Sequence, residues 1–461
     1  MNQSLNHSSH DVARRGKRPN VVYVFGDQHR AQDTGYAGNA QVHTPNLDRL
    51  AAESVDFTLA VSVMPVCTPY RATLLTGRYP LTHGVFLNDV TLNNEAVSLA
   101  DAFKAGGYNT AYIGKWHIDG HGRSRFIPRE RRQGFEFWQV LECTHNYNES
   151  YYYGDEPVKL LWEGYDAQAQ TRSAIDYIKG RDKEKPFLLV LSWGPPHNPY
   201  QTAPQQFQEL YDAEKLTVRP NVPAELAESV RGDLAGYYAH ISALDSYVGE
   251  LASTLEEEGI AEDTIFVYAS DHGDMLGSLG QRRKQRPWDE SIRVPFLLRY
   301  PRLFGREGRK VGMPFNSPDI MPTLLGLSGL DVPATVEGTD YAPYLRGEAD
   351  LQVEAALLAC ISPFGEFRRV DGGREYRGIR TVRYTYVRDL NGPWLMYDNE
   401  RDPYQLTNVC GLAEYAEQQR QLDELLTRML RERGDEFLPG EEYIRRWGYV
   451  TDAHGTVPYK K

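Results

Sequence analysis

The chain has 461 residues, a net charge of −12 and a pI near 5.6. That length supports one large core with a smaller unit beside it, and an aromatic content of 11% excludes disorder over most of it. The acidic balance argues against a general nucleic-acid binder, which needs a continuous basic face to neutralise phosphates. The four cysteines, Cys67, Cys143, Cys360 and Cys410, have no short paired spacing, so neither a disulfide framework nor a zinc ribbon is expected. No apolar run is long enough to span a bilayer, and no membrane association is expected.

In chain order, Met1 to Arg18 reads as a polar, basic, disordered lead-in without the apolar core of a signal peptide. As written, the chain is expected in the cytoplasm, or in the periplasm or outside the cell if a leader has been removed. Asn20 to Phe25 is a β-branched apolar run, the pattern of a strand buried on both faces. A helix opens at Thr44-Pro45, with Thr44 as N-cap, and another runs from Ser98 to Ala105, closed by Gly106-Gly107. Strands follow at Thr110–Ile113, Phe187–Ser192 and Thr264–Ala269. Between them lie a helix near Ala167–Ile178 and a long helical region, Glu225–Glu258, with a break expected near Gly232 or Gly236. Alternating strands and helices predict an α/β fold, a large and mostly parallel sheet covered by helices on both faces. Beyond Gly347 the pattern becomes a meander of short strands, at Ala355–Ile361, Tyr376–Tyr384, Tyr386–Leu390 and Trp394–Tyr397. It predicts a small C-terminal domain of antiparallel sheet with a helix, about Glu414–Arg433, beside it.

The polar residues fall at regular places. Asp27-Gln28 follows the first strand, Lys115 and His117 the second, His197 the third and Asp271-His272 the fourth. In an open α/β sheet, ligands bind outside the carboxyl ends of the strands, so these groups are expected at one edge. Asp27, Gln28, Asp271 and His272 make a metal cage whose carboxylates and amide oxygen suit calcium, with magnesium or an imidazole-tolerant ion such as manganese also admitted. Lys115 and His117, two apart on an extended segment, project to one side.

One further stretch organises the rest. Cys67-Thr68-Pro69-Tyr70-Arg71 and the apolar run to Gly77 place a sulfur at a helix mouth, where backbone N–H groups and the dipole favour an anion. With Gly114-Lys115-Trp116-His117, Pro195-Pro196-His197 and Asp289 to Pro295, it resembles the type I sulfatases of the alkaline phosphatase superfamily, from about Asn20 to about Arg401. The resemblance implies a catalytic domain over residues 19–350 and a C-terminal subdomain over 351–461. It implies oxidation of Cys67 to formylglycine by a maturation enzyme, and a metal ion held by Asp27, Gln28, Asp271, His272 and residue 67. It also assigns Arg71, Lys115, His117, His197 and Lys284 to catalysis.

The implied function is removal of sulfate from an ester, with a sulfated carbohydrate favoured. His145, in the amide- and tyrosine-rich stretch Cys143–Tyr153, is a candidate substrate contact, and the arginines from Arg123 to Arg132 fit a polyanionic glycan. Two other readings stand beside this one. The Asp27-Gln28 and Asp271-His272 pairs also resemble phosphonate monoester and phosphodiester hydrolases of the same superfamily, and a non-catalytic glycan-binding protein is the third reading.

Overall fold

The structure is a computed structural model and describes residues 18–459; Met1 to Lys17 of the expected lead-in lie outside the described residues. Its centre is an eight-stranded sheet. In chain order the strands are β1 (Asn20–Asp27), β2 (Val55–Phe57), β3 (Asn109–Lys115), β4 (Phe137–Leu141), β5 (Phe187–Pro196), β6 (Thr264–Ser270), β7 (Phe296–Arg299) and β8 (Arg309–Val311). Across the sheet they lie in the order β8-β2-β7-β6-β1-β5-β3-β4, and only β7 runs against its neighbours.

The apolar runs are continuous because both faces of the central strands are covered. Val21, Tyr23 and Phe25 of β1 enter one hydrophobic cluster, while Val22 and Val24 enter the cluster on the opposite face. The same alternation divides Ile265, Val267 and Ala269 of β6 from Phe266 and Tyr268. A two-residue side-chain period with both sets buried requires every position to be apolar.

The helices that bear on the site are α1 (Pro45–Ala52), α2 (Cys67–Thr76), α3 (Leu99–Ala105), α4 (Asp166–Gly180) and α5 (Ala227–Glu257). Thr44 holds the N-cap position of α1, its carbonyl accepting from the Asp48 N–H, but its hydroxyl makes no capping bond and instead donates to the Asp48 carboxylate and accepts from the Gly35 N–H. The break expected near Gly232 or Gly236 does not occur, since α5 is one uninterrupted helix. Gly236 instead serves close packing, because a Cβ there would lie 2.4 Å from the Tyr200 carbonyl oxygen.

The C-terminal sheet is antiparallel, in the order β9 (Ala356–Cys360), β10 (Tyr376–Arg380), β11 (Tyr384–Asp389), β12 (Gly392–Asp398). The strand expected over Tyr376–Tyr384 therefore ends at Arg380, and Tyr384 opens the next one after a turn. Leu357, Ile379, Tyr386 and Met396 face α6 (Ala416–Glu432), whose Leu422, Leu426 and Leu430 join the cluster that also holds Tyr23. The two sheets thus share apolar burial, the dominant favourable term in folding.

Strand β3 passes so close to β5 that a Cβ on Gly114 would stand 2.0 Å from the Ser192 carbonyl oxygen, and Gly114 has φ +105°. Gly114→Ala is expected to cost at least about 3 kcal/mol of unfolding free energy in a denaturant titration, from backbone strain plus the clash. A stability equal to that of the parent would refute this account of the β3–β5 approach.

Candidate active site

Strands β6, β1, β5 and β3 are neighbours and parallel, so their carboxyl ends lie side by side. Asp27 and Lys115 are the last residues of β1 and β3, while Asp271 and His197 come directly after β6 and β5. The first turn of α2 carries Cys67 and Arg71 to the same edge, and all ten residues of that helix are buried. Cys67 Sγ lies 3.4 Å from Asp27 Oδ1, 3.2 Å from His272 Nε2 and 3.2 Å from Lys284 Nζ.

The charges interlock. Lys115 Nζ is 2.5 Å from Asp27 Oδ2, and Arg71 reaches Asp27 and Asp271 at 3.4 Å each. Arg71 also donates to the Lys115 carbonyl and to Ser192 Oγ, at 2.7 and 2.6 Å. Burial works against the Asp27 carboxylate, yet the ammonium groups of Lys115 and Lys284 outweigh it and hold its pKa well below the usual range. Asp271 is pushed up to about 6 by burial and by the neighbouring Asp27 charge. For the Cys67 thiol, burial and Asp27 oppose ionisation, but the Lys115 and Lys284 ammonium groups prevail and lower its pKa strongly.

Lys284 is the basic residue of the Gln281–Arg286 stretch whose side chain meets Cys67; Arg282 pairs with Asp233, Arg283 donates to Tyr200, and Arg286 donates to backbone carbonyls. Lys284 Nζ is also 2.8 Å from His197 Nε2. His197 Nδ1 lies 2.8 Å from the Asn198 carbonyl and must donate to it, which leaves Nε2 as the acceptor toward Lys284. Burial and the Lys284 charge keep this imidazole neutral.

The residues fit a divalent cation. Asp27, Cys67, Asp271 and His272 each offer a donor atom within 4.8 Å of the others, and all are buried. His272 Nδ1 lies 2.9 Å from the Gly273 carbonyl, so Nε2 carries the lone pair on the Cys67 side. Gln28 donates its amide nitrogen to Asp274 Oδ2 at 2.6 Å, and its Oε1 is buried without a hydrogen-bond partner. A carboxylate only accepts, so Asp274 fixes which end of the Gln28 amide is left for a ligand. A buried orphan oxygen is costly unless something positive meets it.

The sequence model of the Sulfatase family matches residues 19–330 of the chain, and that of the N-sulphoglucosamine sulphohydrolase C-terminal region matches residues 277–432. The chain belongs to the sulfatase family. An ulvan-active sulfatase of Formosa agariphila is 45% identical over 96% of this chain and 87% of its own length. An endo-4-O-sulfatase of Bacteroides thetaiotaomicron is 32% identical over 92% of this chain and 94% of its own length. Among solved structures, one from a study of glycosaminoglycan metabolism by Bacteroides thetaiotaomicron superposes with a TM-score of 0.83. It has 30% identity and covers 93% of this chain and 99% of its own.

In this sulfatase His117 reaches the site differently from the expectation. The segment is not extended there: His117 has φ +59°, a left-handed conformation. Its Nε2 lies 3.4 Å from Asp89 Oδ1, and Asp89 in turn accepts from the Arg123 guanidinium at 2.8 and 2.7 Å. Burial opposes a charge on His117, but Cys143, Asp89 and Cys67 raise its pKa well above the ordinary value. His145 stacks on His197, with ring centroids 4.5 Å apart and planes within 3°.

The arginines expected to face a polyanion are largely spent inside the protein. Arg123 is held by Asp89, Arg131 by Asp119 and buried Arg132 by Asp155, which leaves Arg125 and Arg129 exposed. Sequence reasoning missed Asp89 and Asp274. Asp274 lies three residues after Asp271 and was open to discovery as a second carboxylate beside the cage, whereas nothing local marks Asp89. Its neighbour Asn88 accepts from the Thr68 N–H at 3.3 Å, so this loop touches both α2 and His117.

Behind Lys115 a small cavity is lined by Asp166, Gln170, Ser150 and Thr144. Burial pushes Asp166 up to about 8, far above its unfolded value near ~3.9. The stability it contributes is therefore present below about pH 4 and is lost as pH rises through about 8. Asp166→Asn is expected to melt increasingly above the parent between pH 4 and pH 8, as read by Tm against pH; a constant difference would refute the assignment. Asp274→Asn can turn an N–H toward Gln28 and reverse its amide. It is expected to weaken divalent-cation affinity about 10–100-fold by calorimetry, and unchanged affinity would refute the orienting role.

Proposed function

We propose that this sulfatase removes sulfate from a sulfated carbohydrate, through a formylglycine made from Cys67 by a maturation enzyme and with calcium as the leading candidate ion. The observation that carries the reading is the position of residue 67, at hydrogen-bond range of Asp27, His272 and Lys284 with Arg71 and Lys115 around the same carboxylate. The carbohydrate class draws support from the relatives named for ulvan and for an endo-acting 4-O-sulfatase.

Cys67 Sγ stands where the nucleophilic oxygen of the converted residue would be. When present, the hydrated aldehyde supplies that oxygen and the cation supplies charge neutralisation. Arg71, Lys115 and Lys284 provide fixed positive charge for the sulfate oxygens, in a site too buried for water to screen. Lys284 carries the proton suited to the leaving oxygen, with neutral His197 holding its ammonium in place. Conversion of Cys67 removes one of the anions that keep His117 charged, which moves the imidazole toward the neutral form a base needs. His145, half-buried and stacked on the face of His197, is the candidate contact for the sugar.

The decisive experiment measures inorganic sulfate released from a panel of sulfated oligosaccharides, beside hydrolysis of a phosphonate monoester. Protein with formylglycine verified by mass spectrometry is expected to desulfate at least one sugar, and Lys284→Ala to lower kcat by at least about 100-fold. Turnover of the phosphonate with none of any sulfated sugar would overturn the reading in favour of the phosphonate hydrolases. Absence of any turnover would favour a binding protein.

A further inference from the structure

We propose that the unconverted chain, with Cys67 still a thiol, is a zinc-binding protein at this same cage, and that conversion of Cys67 changes the class of ion the cage prefers. As encoded, the donor set is one sulfur, one imidazole nitrogen and two carboxylates, all buried. Cys67 Sγ lies 3.2 Å from His272 Nε2 and 3.4 Å from Asp27 Oδ1. His272 Nε2 stands 3.5 Å from Asp27 Oδ1 and 3.6 Å from Asp271 Oδ1. A tetrahedral zinc site with bonds of about 2.0–2.3 Å has donor-to-donor edges of about 3.3–3.8 Å. Those four edges already approximate the tetrahedral values, and all four donor atoms lie within 4.8 Å of one another.

Donor chemistry points the same way. Thiolate and imidazole suit zinc, whereas calcium needs six to eight oxygens and gains little from sulfur. The His272 ring is set for the purpose, since its Nδ1 bond to the Gly273 carbonyl leaves Nε2 as a lone-pair donor on the Cys67 side. Zinc would meet the sulfur as a thiolate, with Lys284, 3.2 Å from the sulfur, as an N–H donor to it. Replacing the sulfur by the oxygen of formylglycine removes the softest donor and leaves a harder site. The inference rests on the coordinating atoms and not on which ester the enzyme cleaves.

The test uses the full chain with Cys67 shown to be a thiol by mass spectrometry, loaded with zinc alone or with cobalt(II) alone and passed through a desalting column. About one zinc per chain is expected by plasma mass spectrometry, together with a near-ultraviolet thiolate-to-cobalt charge-transfer band. Cys67→Ser, which is nearly isosteric and keeps the other three cysteines, should abolish the band and most of the retained zinc. His272→Asn should lower zinc retention independently, and formylglycine-bearing protein should bind zinc at least about ten-fold more weakly than the thiol form. Equal zinc retention by the parent and Cys67→Ser, or cobalt binding without a thiolate band, would overturn the proposal. Neither result would bear on sulfate release, which is measured separately.

Discussion

Asp27, fully buried at the end of the central strand, is met by the ammonium of Lys115, the guanidinium of Arg71 and the sulfur of Cys67. Every other placement in the site depends on keeping that carboxylate charged away from water. Removing one partner of a buried ion pair costs about 3–5 kcal/mol, because the survivor is left uncompensated. Asp27, Asp271 and an ionised Cys67 are balanced locally by Arg71, Lys115 and Lys284. A neutral oxygen at residue 67, together with a dication, would leave the site net positive, which is what an anionic ester needs.

The fold supplies this balance by adjacency. Four parallel strands stand side by side in the middle of the sheet, and each ends within a residue or so of a charged or imidazole side chain. The loops beyond those ends are shaped by unusual backbone: Gln28, His117, Arg283 and Gln285 all have positive φ. Strained backbone of this kind costs on the order of 1–3 kcal/mol per residue and persists where surrounding packing over-determines it. Between Arg283 and Gln285, Lys284 is the basic side chain of the stretch that meets Cys67, while its basic neighbours find partners elsewhere.

The cage carries an amide and an imidazole, Gln28 and His272, beside its two carboxylates. Part of the negative charge lies one step out, on Asp274, which accepts from Gln28, from Tyr200 and from the Leu276 and Arg283 backbone. The cage and the Lys284 loop are therefore tied to one buried carboxylate. A change at either side of it has a direct path to the other through hydrogen bonds, not through long-range fields.

Much of this was legible from local order alone. A β-branched run followed at once by Asp27, or by Lys115, announces both a buried strand and a group at its carboxyl end, because side-chain periodicity and strand direction are local properties. The helix from Cys67 to Gly77 and the delivery of Asp27, Gln28, Asp271 and His272 to one sheet edge were readable in this way, whereas Lys284 was picked out of its arginine neighbours by the resemblance of the block Asp289 to Pro295. The structure alone decided what depends on contacts across hundreds of residues. Cys67 and His272 are 205 positions apart in sequence, and Gln28 and Asp274 are 246 apart. Arg123 and Arg131 read as charge available to a polyanionic glycan until the fold brings Asp89 and Asp119 to them. Likewise Gly236 reads as a helix breaker until Tyr200 is seen against it. Composition and spacing specify which groups a strand end delivers; partner choice, burial and the sign of each pKa shift arise only when distant segments share one desolvated volume.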